Sequence, residues 1–198
     1  MIRRNRAEMI EDTRARLLAA GREAFTRLGY AQASMDDFTA GAGLTRGALY
    51  HHFGDKKGLL AAVVEQIDAE MEARLSAISD AAPDQWEGFW GRCRAFLQMA
   101  QEKDIQRIVL QEAPAVLGAV SVEEQQHCIA SMRDILRRLQ LKGVVRELDA
   151  EALARLVYGA LTEASLWIAR AEEGTERLTQ SLQTLELMLQ GVRVDPDR

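Results

Sequence analysis

Side chains that can donate hydrogen bonds recur at helical spacing between residues 45 and 57. Arg46 and Tyr50 are four residues apart, as are Gly47 and His51. Residues four apart lie on the same face of a helix, so each pair points in one direction. Arginine can bind the edge of guanine, and the Tyr50 hydroxyl and the His51 imidazole can donate to phosphates. With Gly47 allowing close backbone approach, the pattern predicts contact with a DNA duplex.

Four further residues flank this face and are predicted to belong to it. Thr45 and the free N–H groups at the start of the following helix offer a seat for a phosphate. Lys56 and Lys57 lie in the first turn of the next helix, where cations oppose the helix dipole and a phosphate would offset the cost. The alternative is a solvated turn in which Asp55 compensates the two charges. Ser34, which is expected to cap the helix that precedes this face, is also predicted to contact DNA.

The charge distribution places this face at a basic end of the chain. The formal net charge is −5, from 25 Lys and Arg against 30 Asp and Glu. The first 60 residues nevertheless hold ten basic and seven acidic residues, so the acidic excess lies in the remainder. Arg3, Arg4 and Arg6 form a predicted arm that could enter the minor groove or serve only as a solubilising tail.

Two short helices joined by a tight turn are predicted to position these side chains. Ser34 and Asp37 resemble a capping box, and Thr45 is a suitable N-cap for the second helix. Gly43 suits a turn that requires a positive φ, and Gly54 ends the second helix. This layout is that of a helix-turn-helix.

The inner side of the second helix follows from the same spacing. Leu49 and Phe53 are four residues apart and are predicted to point inward, opposite Phe38 and Leu44. Ala42 supplies a small side chain where the two helices cross.

The rest of the chain is predicted to be helical as well. Of its 198 residues 47% are hydrophobic and 28% charged, and only three are proline. These values favour a folded all-α protein, with a three-helix head over 1–54 and a larger helical body over 55–198. Apolar periodicity predicts nine helices, in outline 11–28, 35–42, 46–53, 56–79, 86–100, 105–111, 129–141, 149–168 and 178–189, with a connection from Pro114 to Gly118 and a frayed tail from Val192.

The chain from Leu17 to Ile67 resembles the N-terminal domain of the TetR family of bacterial transcriptional regulators. The resemblance is carried above all by the string LTRGALYHHFGDKKGLL, which runs from Leu44 to Leu60. Thr39 and Gly41 depart from the family pattern, because helix-forming residues are more usual at these positions. A glycine within a helix costs roughly 1 kcal/mol relative to alanine, so the second helix is softened.

The resemblance implies a nine-helix homodimer and double-stranded operator DNA as its partner. The last two helices of each subunit would form a four-helix interface, and the recognition helices would lie about one DNA turn apart on a palindrome. It also implies a small-molecule effector in the body, whose binding would release the DNA. On this basis residues 1–54 are expected to be the DNA-binding domain and residues 55–198 the ligand-binding and dimerisation domain. The family is mostly repressors, and no cofactor is implied.

Aromatic and sulfur-containing residues in the body are candidates for an effector pocket. Such side chains suit an apolar or aromatic, or even cationic, ligand, although for any single residue an ordinary core position is the favoured interpretation. The predicted pocket residues are Trp90, Cys93, Phe96, Met132, Tyr158 and Trp167. A separate leucine stripe needs a partner surface, part of it the body and part a second subunit: Leu178, Leu182, Leu185 and Leu189.

Several other classes of protein are disfavoured. The sequence has no nucleophile elbow, phosphate-binding loop or dinucleotide-binding glycine pattern, so enzyme activity is not expected. His127 and Cys128 are adjacent and diverge by about 100° on a helix, which makes a metal site improbable. No apolar run is long enough to cross a membrane, and two cysteines without a disulfide framework favour the cytoplasm.

Two alternatives to a ligand-released repressor are left open. The first is a DNA-binding regulator without a small ligand, controlled by a protein partner or acting as an activator. The second is a helical interaction protein or enzyme in which the helix-turn-helix is incidental. Titrating operator binding against apolar compounds distinguishes the first alternative from a ligand-released repressor. Absence of sequence-specific DNA binding would indicate the second alternative.

Overall fold

The computed structural model describes residues 6–171 and 173–194, and most of them are helical. Over these residues the chain forms nine α-helices and one π-helix, which confirms the predicted all-α class. Arg3 and Arg4 of the predicted arm lie outside the described residues, whereas Arg6 begins the first helix. The elements are α1 (Arg6–Gln32), α2 (Met35–Ala42), α3 (Arg46–Phe53), α4 (Lys56–Ala81), α5 (Gln85–Met99), the π-helix (Ile105–Glu112), α6 (Ala113–Val116), α7 (Val122–Leu141), α8 (Ala150–Ala169) and α9 (Thr175–Gln190).

The first of two compact units contains α1–α3, α4 as far as Glu70, the π-helix and α6. Its core is built where α1 packs on α2, α3 and the π-helix. The rings of Phe25 and Phe38 lie 5.0 Å apart at its centre. Each fully buried side chain of this size contributes roughly 1.5–3 kcal/mol of transfer free energy. The core side chains include Leu17, Phe25, Phe38, Leu49, Leu59, Leu60, Val63, Ile67, Ile105 and Ile108.

The second unit contains α4 from Met71, together with α5 and α7–α9. Helix α8 packs on α5, α7 and α9, so its apolar positions are largely buried. The core of this unit includes Leu97, Met99, Leu136, Leu139, Val157, Leu161, Ile168, Leu185 and Leu189. The functional division between residues 1–54 and 55–198 stays a prediction.

Helix α1 differs from its prediction at both ends. It begins at Arg6 rather than at residue 11. Its first turns consist mostly of polar helix formers and carry no apolar stripe, so apolar periodicity placed the start of the helix too late. Gly29 interrupts the helical backbone with φ 77° and ψ 169°, as expected of a stop signal, but one further turn follows before Gln32.

The predicted helix over 105–111 is a π-helix, with the N–H of Ala113 donating to the carbonyl of Ile108. The prediction that a non-helical connection begins at Pro114 is wrong. Pro114 lies in the first turn of α6, where the N–H that proline lacks would have no partner within the helix. Gly118, with φ 99°, lies beyond the end of that helix.

The predicted fraying of the tail is wrong for residues 192–194. The N–H of Val194 donates to the carbonyl of Val144 over 2.9 Å, and the N–H of Arg146 donates to the carbonyl of Val192 over 2.9 Å. The guanidinium of Arg193 also lies 5.2 Å from the centre of the Trp86 ring. Backbone pairing and this cation–π contact hold the segment that follows α9.

Replacing Gly41 with alanine is expected to raise the free energy of unfolding by up to about 1 kcal/mol. Gly41 lies within α2, and an added Cβ would meet the Cβ of Ala20 at 3.6 Å, an ordinary contact. Urea denaturation followed by circular dichroism at fixed protein concentration measures the change. Gly43→Ala is the matched control and should destabilise, because its φ is 60°. A loss of stability in Gly41→Ala would contradict the expectation.

Candidate nucleic-acid interface

Short-range hydrogen bonds set the start and end of α2. The backbone N–H and the hydroxyl of Ser34 both donate to the Asp37 carboxylate, and the Asp37 N–H donates to the Ser34 hydroxyl, which completes the predicted capping box. Hydrogen bonds from the side chain and backbone of Ser34 lower the pKa of the Asp37 carboxyl. Gly43 adopts the left-handed conformation with φ 60°, and the N–H of Leu44 returns to the carbonyl of Thr39. The caps and the turn of the helix-turn-helix are confirmed.

Helix α3 presents the predicted polar residues on its outer side. Thr45 is its N-cap, with its side chain accepting from the Ala48 N–H. Leu49 is fully buried, and Phe53 is half-buried with the Arg14 guanidinium 5.6 Å from the centre of its ring. The exposed residues of this helix are Arg46, Gly47, Tyr50 and His51.

Asp36 is an acidic neighbour of this face that sequence reasoning missed. Its carboxylate oxygens accept from Nε and Nη2 of Arg46 over 2.8 and 2.6 Å. The hydrogen bonds from Arg46 lower the pKa of the Asp36 carboxyl, and those same bonds raise the pKa of the guanidinium. A separation of ten residues across a turn gives no periodic signal, although the acid–base pair itself could have been noticed.

The two lysines at the start of α4 differ in their surroundings. Lys56 is half-buried, and its ammonium lies 4.5 Å from the centre of the Tyr30 ring. Lys57 is exposed. Asp55 caps the start of α4, because its Oδ1 accepts from the Gly58 N–H over 2.7 Å.

The end of α1 is held by the π-helix within the same unit. Nη1 of Arg107 donates to the carbonyls of Thr26 and Arg27, and Oε1 of Glu112 accepts from the Tyr30 N–H over 3.1 Å. These bonds satisfy backbone groups left open where Gly29 breaks the helix. They also connect the end of α1 to residues 80 to 82 positions further along the chain.

Arg22 adds a second link between α1, α4 and the residues before the π-helix. Its guanidinium donates from Nε and Nη2 to Asp104 and from Nη1 to Glu70. Burial opposes ionisation of both Arg22 and Asp104, but their hydrogen bonds outweigh it. The pKa of Arg22 is therefore raised and the pKa of Asp104 is lowered.

The predicted effector residues are spread over the second unit. Trp90 lines a cavity of about 110 Å³ together with Trp86, Glu87, Glu186, Leu189 and Gln190. The other five predicted pocket residues are not part of that lining. Phe96, Met132 and Tyr158 are half-buried.

Two of those residues have surroundings unlike those of a pocket wall. Cys93 is buried, and burial raises the pKa of its thiol to about 12. Trp167 is 41% exposed on the surface of α8, where the Arg177 guanidinium lies 5.1 Å from its ring centre.

A membrane-spanning helix and a metal-binding cluster are both absent from the part of the chain that the structure describes. None of the helices there combines the length and apolar character needed to cross a membrane. In that same part, no cluster of three or more His, Cys, Asp or Glu side chains is arranged to hold a metal ion.

The chain matches two family models and several known regulators. Residues 17–63 match bacterial regulatory proteins of the tetR family, and 86–192, more than half of the chain, match the tetracyclin repressor-like C-terminal domain. A solved TetR-family transcriptional regulator from Pectobacterium atrosepticum is 61% identical, with a TM-score of 0.88, over 98% of this chain and 100% of that one. The HTH-type transcriptional regulator CymR of Pseudomonas putida is 30% identical over 93% of each chain. An HTH-type transcriptional repressor of Mycobacterium tuberculosis is 24% identical over 87% of this chain and 90% of that protein.

These matches cover both the helix-turn-helix and the helical body, and they confirm the resemblance carried by residues 44–60. TetR-family regulators bind operator DNA, form dimers and bind small-molecule effectors, and they are transcription factors rather than enzymes. The chain therefore belongs to the TetR family and is a helix-turn-helix, DNA-binding transcriptional regulator.

Proposed function

We propose that the chain is a homodimeric repressor that reads a palindromic operator through α3 and is released by a small apolar or aromatic effector. The observation that carries the DNA-reading part is the outer side of α3, where Arg46, Gly47, Tyr50 and His51 are exposed together over the buried Leu49. A short helix with a buried anchor and polar outer side chains suits insertion into the major groove.

Gly47 supports this assignment because no contact among residues 6–171 and 173–194 requires a glycine there. An added Cβ would meet no atom closer than the Thr45 hydroxyl, at 3.8 Å. Glycine weakens a helix relative to alanine, so its presence on the exposed side favours an external reason. Close approach of the DNA backbone to α3 is such a reason.

The residues proposed to contact phosphates directly are Thr45, His51 and Lys57. Lys56 is proposed to act on the phosphates without direct contact. Lys57 is exposed, whereas Lys56 is half-buried over the Tyr30 ring and would contribute mainly through its charge. The Ser34 hydroxyl already donates its proton to Asp37. Its role in binding is thus proposed to be indirect, through the start of α2.

A second copy of the chain is the proposed cover for the outward apolar side of α8 and α9. Leu156 is 72% exposed, Leu187 75% and Met188 59%. Gly159, on the same helix as Leu156, has open space where a Cβ would lie. The earlier leucine stripe faces mostly inward, because Leu185 and Leu189 are buried and Leu182 is half-buried. Exposed apolar area of this kind typifies an interface in a symmetric dimer.

The proposed effector site includes Trp90, which lines one cavity together with Trp86, Glu87 and Glu186. Its 110 Å³ is below the roughly 300–1,000 Å³ of a site for a drug-sized ligand, so an aromatic effector requires the body to widen. This small volume also favours the alternative of a regulator without a small ligand. Titration of the protein–operator complex with apolar and aromatic compounds separates the two, because only the first releases DNA.

Arg46→Ala is expected to weaken binding to the cognate operator by about 1–3 kcal/mol and to relax base preference at one position per half-site. The loss follows from removal of a bidentate contact to guanine. The operator is first selected from random duplexes, and affinities are then measured by fluorescence anisotropy.

Lys57→Ala is the matched control, since it removes a positive charge without removing base readout. It should weaken all duplexes alike and flatten the salt dependence by about one unit per subunit. If Arg46→Ala lost as much affinity for random DNA as for the operator, the proposed base contact would be refuted.

A further inference from the structure

We propose that Asp36 is a specificity-determining residue, whose carboxylate holds the Arg46 guanidinium so that its free edge faces a guanine. This inference rests on the proposed contact between Arg46 and a base. It adds a residue of α2 to the reading of DNA by α3.

The geometry of the pair leaves the correct donors free. A guanidinium has five N–H donors in a planar fork, and Asp36 takes one from Nε and one from Nη2 of Arg46. The remaining hydrogens of Nη1 and Nη2 point away from the carboxylate along the end of the fork. That end matches the O6 and N7 acceptors that guanine presents in the major groove.

The exposure of the pair argues against a mainly structural purpose. The two side chains are 62% and 70% exposed, so their ion pair contributes little to folding. The N-terminal cap of α2 is supplied by Ser34 and Asp37 and does not need Asp36. The carboxylate also lies beside a face proposed to meet phosphates, where its charge disfavours non-specific binding.

The preorganisation of Arg46 has a defined consequence for affinity and specificity. Arginine is otherwise a flexible side chain that loses rotamer freedom when it binds. Held by Asp36, it meets guanine without that loss, whereas an unmatched base leaves Asp36 close to the duplex with no compensating contact. Discrimination between bases should therefore depend on Asp36 more strongly than total affinity does.

The pairing persists across the pH range in which DNA binding is studied. The hydrogen bonds from Arg46 lower the pKa of the Asp36 carboxyl, and this effect exceeds the opposing effects of desolvation and of the neighbouring Asp37 charge. At any pH above its lowered pKa, the carboxyl is ionised and keeps its ion pair with the arginine. The ion pair is lost only when the pH falls below that pKa. The pair is thus intact near neutral pH.

The test is a double-mutant cycle on the full-length protein with Asp36→Ala, Arg46→Ala and the double variant. Each is titrated by fluorescence anisotropy onto three duplexes: the selected operator, the same operator with another base pair at the position that Arg46→Ala relaxes, and a duplex of random sequence. In Asp36→Ala the affinity ratio between the first two duplexes should fall about five- to tenfold, while random DNA should bind more tightly. In the Arg46→Ala background, Asp36→Ala should leave that ratio unchanged.

Glu23→Ala is the matched control, because it removes one exposed carboxylate from α1 in the same unit. It should change all three affinities by one common factor. A second readout replaces the guanine with 7-deazaguanine, which lacks N7; wild type should lose affinity, and Asp36→Ala should lose less.

Three outcomes would overturn the inference, and they differ from one another. If Arg46→Ala relaxes base preference but Asp36→Ala keeps the wild-type ratio, the role of Asp36 is refuted while the base contact of Arg46 stands. If Arg46→Ala leaves base preference intact, the proposed base contact fails and the inference fails with it. Tighter binding of Asp36→Ala to all duplexes by one common factor would reduce Asp36 to a repelling charge and likewise refute its positioning role.

Discussion

Gly29→Ala is expected to lower the free energy of unfolding by roughly 2–4 kcal/mol. Gly29 has φ 77° and ψ 169°, a conformation that is essentially restricted to glycine. A Cβ there would lie 2.5 Å from Oε1 of Glu112 and 2.6 Å from Nη2 of Arg107. Both side chains would have to move, and the bond from Tyr30 N–H to Glu112 would be lost with them.

The measurement is urea denaturation followed by circular dichroism, with wild type and variant at the same protein concentration. Gly118→Ala separates the two causes, since Gly118 has φ 99° but open space around a new Cβ. The free energy of unfolding of Gly118→Ala should fall only by the cost of the strained backbone conformation, about 1–3 kcal/mol. A Gly29→Ala protein as stable as wild type would show that the end of α1 does not depend on this glycine.

Gly29→Ala should also affect DNA binding indirectly. The Arg107 and Glu112 contacts connect the π-helix to α1, against which α2 and α3 pack. Disturbing them loosens the support of the recognition helix, so operator affinity should fall even at temperatures where the variant remains folded. A helix held less rigidly loses part of the preorganisation on which tight binding depends.

Leu187→Arg is the second change with a large expected effect, namely loss of the dimer. Leu187 is 75% exposed on α9, on the side proposed to meet a second copy. Two-fold symmetry places the substitution on both sides of the interface, so two unpaired charges would be buried there. Each buried charge would weaken the association free energy by roughly 2–5 kcal/mol. We expect monomers in sedimentation velocity at concentrations where wild type is dimeric.

Operator binding should fall with the dimer, because a monomer can engage only one half-site of a palindrome. Leu141→Arg is the matched control: Leu141 is 87% exposed on α7, outside the proposed face, and its substitution should leave the dimer intact. Leu182 is less suitable for this test, since it is half-buried and its substitution would also disturb folding. A Leu187→Arg protein that sediments as a normal dimer would refute the proposed interface.

The helix-turn-helix was predictable from sequence because its determinants are local. Ser34 and Asp37 are three residues apart, and Thr45 caps α3 through the N–H of Ala48, again three residues on. Gly43 is required by the φ of a single position. Interactions of this range are encoded in a short string of residue types, so the string alone identifies them.

The pairing of Arg46 with Asp36 lay beyond that range. Arg46 was predicted to point outward, whereas Asp36 was not singled out, because only the crossing of α2 and α3 brings the two side chains together. The contacts from Arg22 to Asp104 and from Tyr30 to Glu112 join residues 82 positions apart, which no periodicity can reveal. The wider turns of the π-helix were likewise missed, because its apolar positions fit an α-helical period over so short a segment.

The sequence by itself determined the helical class, the helix-turn-helix and the outward residues of α3, because helical period, caps and turn glycines act over three or four positions. Tertiary packing decided which amphipathic positions are covered. It buried Leu185 and Leu189, left Leu156 and Leu187 exposed, and placed Trp167 on the surface. A periodic stripe records that a face is apolar, but only the arrangement of neighbouring helices determines what lies against it.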